Sequence, residues 1–266
     1  MVEFTTTEGF KCGNKIYDVE GNDYATVQIG DKCWMKENMR TKTMPDGREM
    51  VALSTTVPNF ATATRYYYER TDTIVGHVVL YPWGTVNDIT SGGQTNQDAE
   101  IQGICPDGWH VPTYKQLADM FNLLDPEWDR GSMTTGSGAY TLPSNNKLAI
   151  KLADPDCDWV SYGQNYSGIN NPSWSTTENT LGYNRHNNIE DPDANSSGFS
   201  ATVSGYWKDG SYWYNGCLVL WTAVGSSPTG AARTVKIASD CTGVLHQSWS
   251  ATAKEGYAVR CVMNAE

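Results

Sequence analysis

Residues 105–126 read Cys-Pro-Asp-Gly-Trp-His-Val-Pro-Thr-Tyr-Lys-Gln-Leu-Ala-Asp-Met-Phe-Asn-Leu-Leu-Asp-Pro. Thr113 and Gln116 have the spacing of a capping box, in which each side chain bonds the other residue's backbone N–H. Leu117, Met120, Phe121 and Leu124 then recur at the period of one helix face, until Asp125-Pro126 ends the run. The spacing predicts one amphipathic helix near the middle of the chain.

Outward from that helix the pattern changes. Upstream, 15–19 has strand character and Glu20-Gly21-Asn22-Asp23 is turn chemistry. Tyr24, Val27 and Ile29 run as a strand into Gly30-Asp31, and Cys33-Trp34-Met35 returns, so the first forty residues read as a β-meander. Downstream, a second helix is expected over 146–153, and the chain beyond it reads as short strands and long polar loops. Helices kept apart from strands in this way predict an α+β fold: an antiparallel sheet, one or two helices and long loops. No linker-like stretch and no internal repeat interrupts the 266 residues. A single domain over 1–266 is therefore expected, with residues 1–12 readable as an N-terminal extension.

Composition narrows the partners. Hydrophobic residues at 39% and charged residues at 18% describe a globular chain that is short of charge. A formal net charge of -11 disfavours nucleic acid and anionic membrane surfaces, both of which demand a basic face. Membrane insertion is not expected either, because no apolar run approaches the length of a span. Nor do residues 1–10 read as a signal peptide, since they lack a basic start and an apolar core. The seven cysteines, at 12, 33, 105, 157, 217, 241 and 261, contain no Cys-x-x-Cys pair, and the histidines at 77, 110, 186 and 246 have no spacing that joins them to a zinc site. An odd count leaves at least one thiol free, and the spacing alone does not fix the pairing.

The segment 198–262 is unusual for its rings. It includes Gly-Tyr-Trp-Lys-Asp-Gly-Ser-Tyr-Trp-Tyr-Asn-Gly from 205 to 216, where Tyr and Trp alternate with glycine and small polar residues. Such rings supply rigid contact area at low entropy cost, and Ser, Gly and Asn supply adaptable hydrogen bonds. Read as strands, the same residues could equally form an ordinary aromatic core. The candidates for recognition are Trp207, Tyr212, Trp213, Tyr214 and Trp249.

Several ordered blocks carry a resemblance. They are Gly-Asn-Asp-Tyr-Ala-Thr-Val-Gln-Ile-Gly from 21, Trp-Met-Lys-Glu-Asn-Met from 34, Pro45-Asp46-Gly47, Cys-Pro-Asp-Gly-Trp-His-Val-Pro-Thr from 105, Gly-Phe-Ser-Ala from 198 and Gly-Tyr-Ala-Val-Arg-Cys-Val from 256. In that order they resemble the Fibrobacter succinogenes major paralogous domain family, which is abundant in Bacteroidetes. More distantly, Val111-Pro112-Thr113 and Gly256 to Arg260 resemble the C-type-lectin-like fold of the formylglycine-generating enzymes. That likeness implies adjacent N- and C-terminal strands, loops that project to form a binding face, and Trp221 in a central strand. It makes Cys105 and Cys261 candidates for a disulfide, the alternative being two buried free thiols.

These readings set the functional expectation. The chain has no Gly-x-Ser-x-Gly elbow, no Walker loop and no Gly-x-Gly-x-x-Gly, and a non-enzymatic protein without a cofactor is expected. Glu190, Asp191 and Asp193 have the setting of a solvated turn rather than a glycosidase pair. Cys217 and Cys241 lack the flanks of an oxidase cysteine pair. Asn87-Asp88 and 191–195 are clusters of oxygen donors that would serve calcium only if they converged, so no metal is assigned. The leading expectation is an adhesin or lectin-like module, extracellular or on the cell surface, that recognises a glycan or protein receptor through its aromatic C-terminal loops. The alternatives are the variable receptor-binding protein of a diversity-generating retroelement, including one on a phage virion, and a structural surface or pilus subunit.

Overall fold

The computed structural model describes residues 10–53, 64–72, 76–96, 98–126, 147–159, 161–162, 172–173, 178, 180–213, 216–225, 230–239, 244–252 and 254–265. At 72, 161–162, 172–173 and 244–252 the description is of backbone alone. Among these residues the chain forms small, mostly antiparallel sheets and a few short helices, an arrangement of the α+β or mainly β kind. In chain order come β1 (Ile16–Tyr17), β2 (Asp23–Tyr24), β3 (Thr26–Ile29), β4 (Lys32–Met35), β5 (Val51–Ala52), β6 (Tyr66–Asp72), β7 (Gly76–Leu80), α1 (Trp83–Val86) and α2 (Tyr114–Leu124). Next are α3 (Leu148–Leu152), β8 (Ser161–Tyr162), β9 (Pro172–Ser173), α4 (Leu181–His186), β10 (Tyr206–Lys208) and β11 (Ser211–Trp213). The chain closes with β12 (Cys217–Gly225), β13 (Ala231–Ala238), β14 (Val244–Thr252) and β15 (Val262–Asn264).

The expected meander is present with one change. The first strand is only two residues long, because the Asp18 carboxylate accepts from the backbone N–H groups of Glu20 and Asn22 and turns the chain early. β3 and β4 pair around Gly30-Asp31 as the turn chemistry predicts, and β15 pairs with the other edge of β4, Val262 opposite Trp34. The two ends of the fold thus share one three-stranded sheet.

Helix α2 carries the expected capping box: Gln116 N–H donates to Thr113 Oγ1 at 3.1 Å, and Thr113 N–H to Gln116 Oε1 at 2.9 Å. Leu117, Met120 and Phe121 are buried, and the Asp125 N–H closes the last turn on the Phe121 carbonyl. The second expected helix is the shorter α3. The sequence after it is not all strand and loop, since α4 forms there behind Thr180, whose hydroxyl accepts from the Tyr183 N–H.

Strand alternation divides the interior into two clusters. In β4, Trp34 points to α2, α3 and Phe199, whereas Cys33 and Met35 point to Tyr24, Trp83 and Trp221. β12 does the same, with Leu218 and Leu220 on one side and Val219 and Trp221 on the other. A strand buried on both faces reads as an unbroken apolar run, and that is how Cys217-Leu-Val-Leu-Trp221 reads. Trp221 is fully buried, as the resemblance implied, and its indole N–H donates to the Tyr81 carbonyl at 2.6 Å.

Residues 256–262 stitch these parts together by single backbone pairings to Trp207, Tyr81, Leu220 and His110. Arg260 lies among them, 1% exposed. Its guanidinium donates to Asn38 Oδ1 and to the carbonyls of Phe199 and Ser200, three neutral acceptors. Burial pushes its pKa down to about 9. Cys105 and Cys261, the pair the resemblance implied, are bridged with their Cα atoms 5.8 Å apart. A second disulfide joins Cys12 to Cys33.

Candidate ligand-binding surface

The hairpin β10–β11 turns on Asp209-Gly210, both in the left-handed region with φ of 51° and 76°. Two such residues make the type I′ turn whose twist matches a right-handed β-ribbon. Tyr206 therefore faces Trp213, Trp207 faces Tyr212 and Lys208 faces Ser211. Because side chains alternate between faces, Tyr206, Lys208, Ser211 and Trp213 share one side and Trp207 and Tyr212 the other.

The second side is bound into the molecule. Trp207 stacks on Tyr68 with centroids 4.9 Å apart, and its backbone exchanges two hydrogen bonds with Gly256. Glycine is required at 256, since a Cβ there would come within 2.4 Å of the Tyr68 ring. Tyr212 is buried, with its hydroxyl donating to the Ser204 carbonyl at 2.7 Å and the Arg70 guanidinium 5.4 Å from its ring centre. Tyr212 thus does not join the surface expected of it, because the hairpin register turns it inward.

The first side is different. The Tyr206 and Trp213 rings are partly exposed, and their planes lie within 6° of each other with centroids 6.4 Å apart. Parallel rings at that separation are offset rather than face on face. Tyr257 packs behind Tyr206 at 5.8 Å, and Trp221 packs edge-on against Tyr257 at 4.6 Å. A continuous run of rings therefore leads from the core to the surface pair and fixes its orientation. The Trp213 indole N–H donates to the Lys208 carbonyl, which locks the outermost ring to its own hairpin.

Polar groups flank the pair. Lys208 Nζ lies 3.1 Å from Glu255, and the same carboxylate accepts from the Tyr257 hydroxyl at 2.5 Å. The hydrogen bond to Glu255 holds the Lys208 ammonium above its ordinary pKa. Ser211 is exposed beside them. A flat aromatic pair edged by a cation, itself held by a buried carboxylate, and by a hydroxyl can stack a ring and hydrogen-bond its substituents.

Of the other expected residues, Tyr214 lies outside the described residues. Trp249 is in β14, where only the backbone is described; there 248–250 oppose Arg233 alone, at a bulge. Tyr206 was not among the candidates. The Asp209-Gly210 signal was sufficient to find it, because a two-residue turn fixes the pairing of 206 with 213.

The oxygen-donor clusters are occupied by cations. Asp88 lies between Arg48 and Arg65, and Asp191 and Asp193 share Lys147 at 3.1 Å each. Among the described residues no group of three His, Cys, Asp or Glu side chains is placed to hold a metal. Cys217 is buried, and Cys241 lies outside the described residues. No described helix is long and apolar enough to cross a membrane.

A family model, that of the Fibrobacter succinogenes major domain, matches residues 27–263 of the chain. No curated protein and no solved structure matches it.

Proposed function

The chain belongs to the Fibrobacter succinogenes major domain family, and from that premise we propose that it works as a non-enzymatic, extracellular ligand-binding module of C-type-lectin-like fold. Its docking surface is the Tyr206–Trp213 pair, and its ligand is a glycan or a glycan-bearing protein receptor. The observation that carries this reading is the parallel, partly exposed ring pair, braced from behind by Tyr257 and Trp221. The C–H face of a pyranose packs on such a platform, and Lys208 and the exposed Ser211 beside it can hydrogen-bond its hydroxyls. Two disulfides support maturation in an oxidising compartment.

A glycan array probed with the wild-type protein and with Trp213→Ala tests the reading. A central aromatic anchor contributes about 2 kcal/mol, so binding should weaken by about thirtyfold while the fold is retained. Tyr212→Ala, by contrast, should lower stability before it changes selectivity, because its ring and hydroxyl are internal. An array on which the wild type binds nothing, or on which Trp213→Ala binds as well as wild type, refutes the proposal.

A further inference from the structure

We infer that the molecule has a second binding site, unrelated to the hairpin, which takes the apolar side chain of a partner peptide. The site is a cavity of about 400 Å³ between α3, α4 and the loop at 188–194. Its floor is apolar: Ile150 from α3, Ala153 just after it, Trp159, and Leu181 from α4. The only polar atom of the Trp159 side chain is already used, since its indole N–H donates to the Asp154 carbonyl at 2.9 Å. The one polar side chain buried beside that floor is Asn184.

The mouth is the opposite. Asn188 presents an exposed amide there and the buried Asn184 a second one in the wall, each able to donate and to accept. Asp156 and Glu190 bring negative charge and Arg185 positive charge, all three exposed. Asp191 is tied to Lys147 and takes no part. Ile189, 46% exposed, adds an apolar lip. The volume is at the lower end of those that hold small ligands, and the lining becomes more polar from floor to mouth. An apolar residue within a peptide has that same division: its side chain wants the floor, and its two flanking amides match paired donor–acceptor groups at the mouth. A neutral saccharide carries polar groups over its whole surface and fits poorly. A free fatty chain would leave the amides unused.

The geometry of the mouth supplies a mild variant. Asn188 has φ of 51°, in the left-handed region, so Asn188→Gly removes the amide without straining the backbone. Ala194, partly buried at the cavity edge, can be enlarged to Leu to fill the space.

The test is two-dimensional NMR of the ¹⁵N-labelled protein titrated with N-acetyl-leucinamide, N-acetyl-phenylalaninamide and N-acetylglycinamide, following the Trp159 indole and the Asn184 and Asn188 resonances. The leucine and phenylalanine amides should give saturable shifts at these groups, at least about tenfold tighter than the glycine amide, since only they bury a side chain. Ala194→Leu should abolish the shifts and Asn188→Gly should weaken them. Trp213→Ala should leave them unchanged, which keeps this site's outcome separate from that of the hairpin. No saturable shift at about twentyfold over a millimolar Kd, an equal response to the glycine amide, or the same shifts from methyl glucoside would each overturn the inference.

Discussion

Raising the pH above 10 should unfold this protein in one cooperative step, driven by its buried phenols. Tyr24, Tyr68, Tyr81, Tyr114 and Tyr257 are all buried, and desolvation pushes each phenol well above its ordinary pKa near 10. In the unfolded chain these groups lose their protons at about pH 10, whereas in the folded chain they keep them. The folded state then binds more protons, and stability, intact below pH 10, falls as the pH rises further. Each phenol costs about 1.4 kcal/mol at pH 11 and about 2.7 at pH 12, so five cost about 7 and about 14 kcal/mol. Arg260, held near 9 in the fold, works in the opposite direction with a single proton, about 3–4 kcal/mol over the same range. The net loss, about 4 kcal/mol at pH 11 and about 10 at pH 12, spans the stability of an ordinary domain. Tyrosinate absorbance and far-ultraviolet circular dichroism, recorded together, check this. The signal of the buried set should appear only as the dichroism collapses. Tyr81→Phe should flatten the stability slope by one proton. A single smooth titration of all fifteen tyrosines near pH 10, with the dichroism intact, would refute the reasoning.

The two disulfides should differ in what they contribute. In the chain-entropy account, replacing Cys105 and Cys261 by Ala costs about 5 kcal/mol for a sequence separation of 156, and replacing Cys12 and Cys33 costs about 3 for one of 21. Urea unfolding of the two double variants measures both, and an equal or inverted order counts against that account. Gly205, at φ of 59°, has no room for a methyl group, because a Cβ would lie 2.4 Å from the Trp213 carbonyl and 2.6 Å from the Tyr212 hydroxyl. Gly205→Ala should cost about 3 kcal/mol and lower Tm by roughly 6–12 °C, by unseating the hairpin. A Tm within about 2 °C of wild type would show that the hairpin yields without loss.

How much the sequence revealed depended on how local the cause was. The α2 cap is set by two residues three apart, and Thr113 with Gln116 announced it. The α3 boundaries came out within two residues although no side chain caps its start. Helix α4 was missed because Gly182 and Asn184 are weak helix formers, and the forces that hold them are tertiary, for example the Gly182 N–H donating to the Ser239 carbonyl. The Cys12–Cys33 bridge has no local signature at all, since the fold alone brings those two residues together. The candidate surface was half legible. Its aromatic richness was plain, and composition alone cannot say which rings face inward. The register of a single Asp-Gly turn decides that, moving Tyr212 inside and bringing Tyr206 out beside Trp213.

The arrangement of the disulfides bears on how the protein behaves under load. A pull between residues 12 and 261 reaches the chain through both bridges, so 13–32 and 106–260 lie in closed loops that tension never enters. Only the 72 residue steps from 33 to 105 can extend, about 260 Å at full stretch, against about 900 Å for the same chain with both bridges reduced. The hairpin, Trp221, Tyr257 and the cavity beside α3 belong to the closed loop at 106–260, whereas Tyr68, stacked on Trp207, lies in the extensible segment. A pull between residues 12 and 261 therefore lengthens the molecule by a fixed amount and then stops, with everything in 106–260 still within its closed covalent loop.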